Sequence, residues 1–254
     1  MKKDSKDIKK HVKDRYGKIA MQGSSCCSTS SCCDNISAKD ISKTVGYTEE
    51  EMGAVPNGAN LGLGCGNPVA IATLKEGETV LDLGAGAGFD AFLAAAKVGK
   101  SGKVIGVDMT TEMINRARGN ARRGKYANVE FKLGEIENLP IEDNFVDVII
   151  SNCVINLSPD KEKVFKEAFR VLKPGGRLMV SDLVLVKDLP TEIKGSVEAY
   201  VGCIAGAVKK EDYLTYIKEA GFKDIKVMSQ DSYPVEASVD ASAVASVKIY
   251  AVKP

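Results

Sequence analysis

Short apolar runs alternate with longer amphipathic stretches through the middle of the chain. Each run has the length of a buried strand and is rich in Val, Leu and Ile. The runs predict strands at 79–83, 103–108, 128–133, 145–150 and 176–182. Between them, apolar residues at helical spacing predict helices at 89–98, 111–121 and 160–172. Strands separated by helical lengths are typical of a doubly wound, mostly parallel α/β sheet, which binds ligands at the carboxyl ends of its strands.

Both flanks of this core carry further predicted elements. Residues 4–22 have apolar side chains at spacings of four, four and three, which predicts an amphipathic helix that packs on the core. After the core we expect helical structure over 190–206 and 210–220 and strands over 222–229 and 245–252. The chain therefore divides into an N-terminal helix, Cys-rich loop and lid segment (1–68), an α/β core (69–182) and a C-terminal segment (183–254).

The first predicted strand runs into three glycines at alternate positions, Gly84, Gly86 and Gly88, before the next helix. Glycine adopts positive φ and allows close approach of the backbone to a ligand, and the following helix directs its free N–H groups into the turn. Phe89 occupies the position that the dinucleotide fingerprint reserves for its third glycine, which disfavours NAD. We therefore expect a different nucleotide-like ligand at this turn.

Polar residues at the ends of the predicted strands complete the expected ligand site. Asp82 ends the first strand, and Asp108 ends the second, where its carboxylate can accept hydrogen bonds from two ribose hydroxyls. Asn152 follows the fourth strand. The glycine turn, both acids and the later strands together resemble the seven-stranded S-adenosylmethionine methyltransferases. That resemblance implies that the last two strands form a hairpin and add one antiparallel strand to the sheet.

Composition and charge exclude several classes of partner. The chain has 254 residues, which suits one domain with additions, and a net charge of +1 from 35 basic and 34 acidic side chains. No basic field is present to hold nucleic acid. The N-terminus is charged, and nowhere do about eighteen apolar residues run together. We expect a cytoplasmic protein without nucleic-acid or membrane partners.

Seven cysteines are an odd number for a chain without an export signal, so ligand or redox chemistry is expected in place of structural disulfides. Four of them lie in a Ser-rich segment as Cys26, Cys27, Cys32 and Cys33. Adjacent cysteines are poorly placed to bridge each other, because neighbouring Cα atoms are about 3.8 Å apart and disulfides usually span more. Bonds between the two pairs, or to cysteines elsewhere, are left open by the sequence.

The other three cysteines are far apart in sequence but converge in the expected fold. Cys65 precedes the first strand in a glycine-rich loop, Cys153 ends the fourth strand, and Cys203 lies in the helical stretch after the fifth. Such segments cover the carboxyl edge of the sheet, near the methyl group of the cofactor. Three soft thiolates without a histidine favour a thiophilic guest such as As(III). On three sulfurs As(III) keeps a lone pair that can attack the methyl sulfonium, so no general base is required.

At these cysteines the resemblance narrows to a family. Residues 60–68, 150–157 and 200–207 are similar to the three cysteine segments of arsenite S-adenosylmethionine methyltransferases, and the similarity extends over essentially the whole chain. It implies detoxifying methylation of As(III)-thiol adducts, with arsenic bound by Cys65, Cys153 and Cys203. It further implies that six residues hold the cofactor: Gly84, Gly86, Asp108, Met109, Glu135 and Ile136. Asp82, Gly88 and Asn152 complete the expected cofactor site.

The same resemblance implies a disulfide relay. In this family an N-terminal cysteine pairs with the first arsenic ligand during turnover, and a thiol reductant, thioredoxin or a small thiol, then regenerates the enzyme. Of the four N-terminal thiols, Cys32 or Cys33 is favoured for this role over Cys26 or Cys27.

Two other functions fit parts of the sequence. The same fold can methylate a small organic acceptor, such as a quinone precursor, because function belongs to the site and not to the fold. Alternatively, the N-terminal cluster is a metal-sequestering module, since four residues separate Cys27 from Cys32, a spacing seen in zinc sites.

Overall fold

The computed structural model describes residues 5–22, 37–68, 73–233 and 241–254. Its centre is a seven-stranded sheet in the order β3-β2-β1-β4-β5-β7-β6. β7 is antiparallel to both of its neighbours, and the other adjacent pairs are parallel. The strands are β1 Thr79–Leu83, β2 Lys103–Asp108, β3 Val129–Leu133, β4 Val146–Asn152, β5 Leu172–Leu185, β6 Lys223–Ser232 and β7 Val244–Val252. The predicted doubly wound sheet with a final antiparallel hairpin is confirmed.

Helices cover both faces of the sheet and its carboxyl edge. They are α1 Ser5–Gln22, α2 Ala38–Thr44, α3 Glu49–Gly53, α4 Phe89–Val98, α5 Thr111–Arg123, α6 Lys161–Val171, α7 Thr191–Gly195, α8 Val197–Val201 and α9 Lys210–Glu219. Successive residues of β1 point to opposite faces, so Val80 packs in the cluster that contains α4 and α5. Leu81 packs in the cluster that contains α6 and α9. Each face of the sheet is therefore a separate apolar layer.

The N-terminal helix packs on the core as its pattern predicts. Val12 and Ile19 are buried, while His11 is exposed. α1 contacts α5 and α8, so it crosses the carboxyl edge of the sheet. In the described ranges, no helix combines the length and the apolar character needed to cross a membrane.

Two predictions about the later part of the chain are wrong. The fifth strand, predicted over 176–182, spans Leu172–Leu185; its pairing with β7 from Arg177 to Leu185 explains the extension at the carboxyl end. The predicted helical stretch 190–206 is two short helices followed by irregular chain. Ser196 ends α7 and caps α8 by accepting a hydrogen bond from the Ala199 N–H.

Cys203, expected within that helical stretch, lies beyond α8. Its φ of 66° is in the left-handed region, which an α-helix does not contain. The division of the chain at residue 182 stays a prediction; β5 runs across this residue, and β6 and β7 complete the sheet.

Candidate active site

A cavity lies at the carboxyl ends of β1, β2 and β4, beneath α1 and the loop 59–64. The space between its walls is about 1050 Å³, open space at the mouth included. Most of the sequence-predicted cofactor residues line it: Asp82, Gly84, Gly86, Asp108, Met109, Ile136 and Asn152. The carboxyl edge of the sheet is therefore also the place where the predicted residues meet.

The glycine turn has the backbone that its sequence predicts. Gly84, Gly86 and Gly88 have φ of 67°, 52° and 96°, a region that side chains disfavour. A Cβ on Gly84 would overlap the side chain of Val154, and one on Gly88 would come within 2.7 Å of Phe131. The turn thus needs glycine for space as well as for conformation. Gly88 does not line the cavity; it caps the start of α4.

Four acidic side chains of the described residues line the cavity, and two of them, the buried Asp82 and the half-buried Asp108, stand near the ends of β1 and β2. Asp108 accepts hydrogen bonds from the backbone N–H groups of Gly86 at 3.0 Å and Thr110 at 2.8 Å. Asp82 is 2% exposed, and its Oδ2 has no hydrogen-bond partner among the described residues. Burial raises the pKa of both groups, and for Asp82 the neighbouring Asp90 and Asp108 raise it further. Asp82 therefore keeps one buried carboxyl oxygen without a partner beside the cavity.

The segment after β3 departs from the expected arrangement. Ile136 lines the cavity, but Glu135 lies in a neighbouring surface groove and pairs with Lys9 of α1 at 2.8 Å. Within this segment, the acidic side chain that lines the cavity is Glu137, which accepts a hydrogen bond from the Ser158 hydroxyl at 2.6 Å and pairs with Lys9 at 3.0 Å. Lys9 thus ties α1 to both acids. The sequence signal for Glu137 was its place after a strand end.

The structure brings the three separated thiols together. Cys65, Cys153 and Cys203 are buried in one cluster beneath the cavity, and Cys153 also lines it. The Sγ atoms of Cys65 and Cys153 and a carboxylate oxygen of Asp182 all lie within 4.8 Å of one another. The Cys203 thiol donates to the Cys153 carbonyl oxygen at 2.9 Å. One buried cluster therefore joins the loop before β1, the end of β4 and the chain after α8.

Burial keeps these thiols protonated. It is the main cause that raises the pKa of Cys65 to about 11. A hydrogen bond with Cys203 lowers the pKa of Cys153, but contact with the Cys65 thiol, burial and the charge of Asp182 raise it well above the ordinary range. The hydrogen bond with Cys153, followed by burial, raises the pKa of Cys203. At neutral pH the cluster therefore consists of uncharged thiols.

Two of the three cysteines have an uncommon backbone conformation. Cys153 and Cys203 have φ of 57° and 66°, in the left-handed region that non-glycine residues seldom occupy. Hydrogen bonds hold both in place: the Cys153 N–H donates to Ser181 O at 2.8 Å, and the Cys203 N–H donates to Tyr200 O at 2.9 Å. Such strain of about 1–3 kcal/mol persists only where the surrounding structure imposes it. The protein therefore orients these thiols at a cost in stability.

Asn152 connects the thiol loop to the cavity wall. Its Oδ1 accepts from the Cys65 N–H at 3.0 Å, and its Nδ2 donates to Gly66 O at 2.8 Å. The same Nδ2 lies 2.9 Å from the Tyr47 hydroxyl and 3.0 Å from Asp90 Oδ2. Burial raises the pKa of Asp90 to about 6, although the hydrogen bonds from Tyr47 and Asn152 lower it. All polar atoms of Asn152 are therefore engaged by protein, and the side chain fixes both sides of Cys65.

A buried polar network beneath the thiols was missed at the sequence level. Asp182 accepts hydrogen bonds from Asn156 Nδ2 at 2.9 Å, the Leu183 N–H at 2.9 Å and the Tyr213 hydroxyl at 3.1 Å. Burial raises the pKa of Asp182 to about 6 and lowers that of Lys161 to about 8. Asp182 ends the fifth predicted strand. Asp82 and Asp108 were selected as acidic residues at the ends of predicted strands, and the same criterion selects Asp182.

The four N-terminal cysteines, Cys26, Cys27, Cys32 and Cys33, lie outside the described residues. The predicted disulfide relay and the alternative zinc module in this segment both stay predictions.

Comparisons with known proteins find relatives over most of the chain. The family model described as a methyltransferase domain matches residues 74–221. The chain is 45% identical over 237 residues to an arsenite methyltransferase of Halobacterium salinarum, covering 90% of this chain and 61% of the relative. It is 37% identical over 247 residues to an arsenite methyltransferase of Aquipseudomonas alcaligenes, covering 94% and 69%. The chain therefore spans between three fifths and seven tenths of the length of these relatives.

A solved structure is similar over most of the fold. The crystal structure of CrArsM, an arsenic (III) S-adenosylmethionine methyltransferase from Chlamydomonas reinhardtii, aligns with a TM-score of 0.67 at 34% identity. The alignment covers 84% of this chain and 73% of that one.

Proposed function

Because this chain belongs to the arsenite methyltransferase family, we propose that it transfers methyl groups from S-adenosylmethionine to trivalent arsenic bound by Cys65, Cys153 and Cys203. One observation carries the proposal. Three buried thiols from distant segments form one cluster, and one of them, Cys153, lines the cavity formed by the glycine turn. A methyltransferase that acts on an organic acceptor has no need of such a cluster.

The residues of the cavity fit the cofactor. The tight glycine turn admits a nucleoside against the backbone, and the carboxylate of Asp108 is placed to accept hydrogen bonds from ribose hydroxyls. Met109 and Ile136 supply apolar wall for the base. The unpartnered Oδ2 of Asp82 is an acceptor for the ammonium of the amino-acid end. When bound, S-adenosylmethionine supplies an electrophilic methyl group to the arsenic lone pair.

Three further residues predicted for the cofactor act less directly in this proposal. Gly88 sets the start of α4, and Glu135 holds α1 over the cavity through Lys9. Asn152 forms wall through its aliphatic part, while its amide orients the Cys65 loop.

The thiol cluster has the chemistry that trivalent arsenic requires. Sulfur is a soft ligand, and among the described residues the ligand group that contains Cys65 and Cys153 holds no imidazole. Three sulfur bonds leave the arsenic lone pair free. The left-handed backbone of Cys153 and Cys203 orients two of these thiols before arsenic binds.

Turnover also requires electrons. Transfer of a methyl cation to As(III) gives As(V), and two thiols return it to As(III) by forming a disulfide. In the proposal, Cys32 or Cys33 forms this disulfide with Cys65, and thioredoxin or a small thiol reduces it. The four thiols between residues 26 and 33 and the family resemblance support this step.

The test is a turnover assay with S-adenosylmethionine, a reduced thiol and arsenite, in which arsenic species are separated by chromatography and measured by elemental detection. We expect methylated arsenic from the wild-type chain. Cys153→Ser should lower its formation by at least about a hundredfold, because oxygen is a poor ligand for a thiophilic acceptor. Calorimetry with S-adenosylhomocysteine should show nearly unchanged affinity. Normal arsenic methylation by Cys153→Ser would contradict the proposal.

A further inference from the structure

Two buried polar atoms of opposite kind, each without a partner, belong to side chains that line the cavity. Of the five buried side-chain nitrogen and oxygen atoms without a hydrogen-bond partner in the described part of the chain, only Asn60 Nδ2 and Asp82 Oδ2 belong to cavity residues. The first is a donor and the second is an acceptor. Buried polar atoms rarely lack partners in folded proteins, so an unpartnered pair in one cavity indicates a bound group.

The orientation of the Asn60 amide is fixed by its neighbours. Its Oδ1 lies 2.9 Å from the Gly62 backbone N–H and 3.0 Å from the Ser42 hydroxyl. A backbone N–H can only donate, so the amide atom that faces it is the oxygen. The Nδ2 group is therefore the one without a partner, and it needs an acceptor from a ligand.

We propose that Asn60 Nδ2 donates a hydrogen bond to the carboxylate at the amino-acid end of the cofactor. This inference rests on the cofactor site of the proposed function. That end of S-adenosylmethionine carries one carboxylate, which accepts, and one ammonium, which donates. The pair matches the unpartnered donor of Asn60 and the unpartnered acceptor of Asp82. The nucleoside end carries no anionic group.

The position of Asn60 in the chain gives this contact a second role. Asn60 begins the glycine-rich loop that ends at Cys65 and Gly66, and its Oδ1 holds the Gly62 N–H of the same loop. Asn152 holds the other end of the loop at Cys65 and Gly66. The loop is thus anchored at one end by the side chain that binds the cofactor and at the other end by the side chain that positions the first arsenic ligand.

The experiment compares two ligands that differ in the amino-acid end. Calorimetry on the full chain would measure S-adenosylhomocysteine, which carries the carboxylate, and 5′-methylthioadenosine, which lacks the whole amino-acid end. Asn60→Asp keeps the acceptor for Gly62 and Ser42 but replaces the donor with an oxygen. We expect its affinity for S-adenosylhomocysteine to fall by about tenfold to a hundredfold, with methylthioadenosine affinity unchanged.

Two further variants make the comparison specific. Asn57→Asp introduces the same charge at an exposed position of the preceding turn that does not line the cavity, and both affinities should match the wild type. Asn60→Ala removes the donor without adding charge and should lower affinity for S-adenosylhomocysteine by about tenfold. Retained binding of methylthioadenosine shows that either Asn60 variant is folded.

The outcomes separate the inference from the proposed function. Equal losses for both ligands, or no loss for either, would overturn the assignment of Asn60 to the carboxylate and leave the cofactor site intact. Failure of both ligands to bind the wild-type chain would overturn the cofactor site, and the assignment with it.

Discussion

The cofactor half and the thiol half of the site are built in different ways. The cofactor half is built around one continuous stretch, 82–90, and Asp108, which is tied to the turn by the Gly86 N–H; α1 and the loop 59–64 cover it. The backbone conformation of the glycine turn sets the shape of this half. The thiol half comes from three distant segments whose side chains meet through long-range contacts, such as the bond from Cys203 Sγ to Cys153 O. Its shape depends on side chains and on strained backbone.

This difference determines which substitutions disrupt each half of the site. A backbone turn fails when a Cβ is added, and it tolerates many changes of neighbouring side chains. A cluster of side chains fails when one sulfur or one supporting hydrogen bond is lost. The two halves touch where Val154, next to Cys153, packs against Gly84.

The largest effect is expected from adding a methyl group to the turn. Gly84→Ala would place a Cβ inside the side chain of Val154 at a φ of 67°. We expect S-adenosylhomocysteine affinity to fall by at least about a hundredfold in calorimetry, because both strain and overlap oppose the turn. The matched control is Gly175→Ala, at a φ of 77° with no atom within 4 Å of the added Cβ. It should lose about 1–2 kcal/mol of stability and keep its affinity. Wild-type affinity in Gly84→Ala would show that the turn adapts.

A smaller effect is expected from Asn152→Ala, and it should lower arsenite affinity much more than cofactor affinity. The change removes the hydrogen bonds to the Cys65 N–H and Gly66 O, so the loop loses its anchor. Arsenite affinity, measured by equilibrium dialysis with elemental detection, should fall by about tenfold, the effect of one or two such bonds. Affinity for S-adenosylhomocysteine should change by less than about threefold. Equal losses in both would place Asn152 in the cofactor half.

The smallest effect on arsenite binding is expected from Asp182→Asn, a change beneath the thiols. Asp182→Asn keeps an acceptor for Asn156 and Leu183, and its amide can donate to the Tyr213 oxygen. The pKa of Asp182 is about 6 in the folded state, above its usual value, so the wild type loses stability as pH rises from about 4 to 6. The variant lacks this loss. Chemical denaturation would measure the free energy of unfolding at pH 4.5 and at pH 7.5. The decrease between these two pH values should be smaller in the variant than in the wild type by at least about 1 kcal/mol. Arsenite affinity should stay within about twofold of the wild type. An unchanged pH dependence would contradict the buried charge.

The sequence predicted features that rest on local pattern or on a simple rule of topology. The strands of the core, the positive φ of the three glycines and the meeting of three thiols follow from periodicity, from glycine chemistry and from the shared carboxyl edge of parallel strands. The local sequence pattern could not predict the extension of β5 at its carboxyl end, because this extension depends on pairing with β7, which lies far along the chain.

Irregular segments limited the prediction of the site. The stretch 190–206 has apolar residues at helical spacing, but Ser196 and Gly202 end its helices early and place Cys203 in a turn. After β3 the chain has no periodicity, so nothing in the sequence distinguishes Glu135 from Glu137 as the cavity residue. The free donor of Asn60 depends on which neighbours take its oxygen, and only coordinates reveal that.

The raised pKa of the buried thiols has a consequence for the choice of guest. Zinc binds thiolates, so each thiol must release a proton to solvent, and burial makes that release costly at neutral pH. In arsenous acid the hydroxide ligands themselves accept the thiol protons. Each of its three hydroxides takes one thiol proton and leaves as water, so As(OH)₃ and three RSH give As(SR)₃ and three H₂O without net proton release. If arsenic binds as proposed, protonated thiols make a divalent cation the costlier guest, because only the cation requires a net release of thiol protons to solvent.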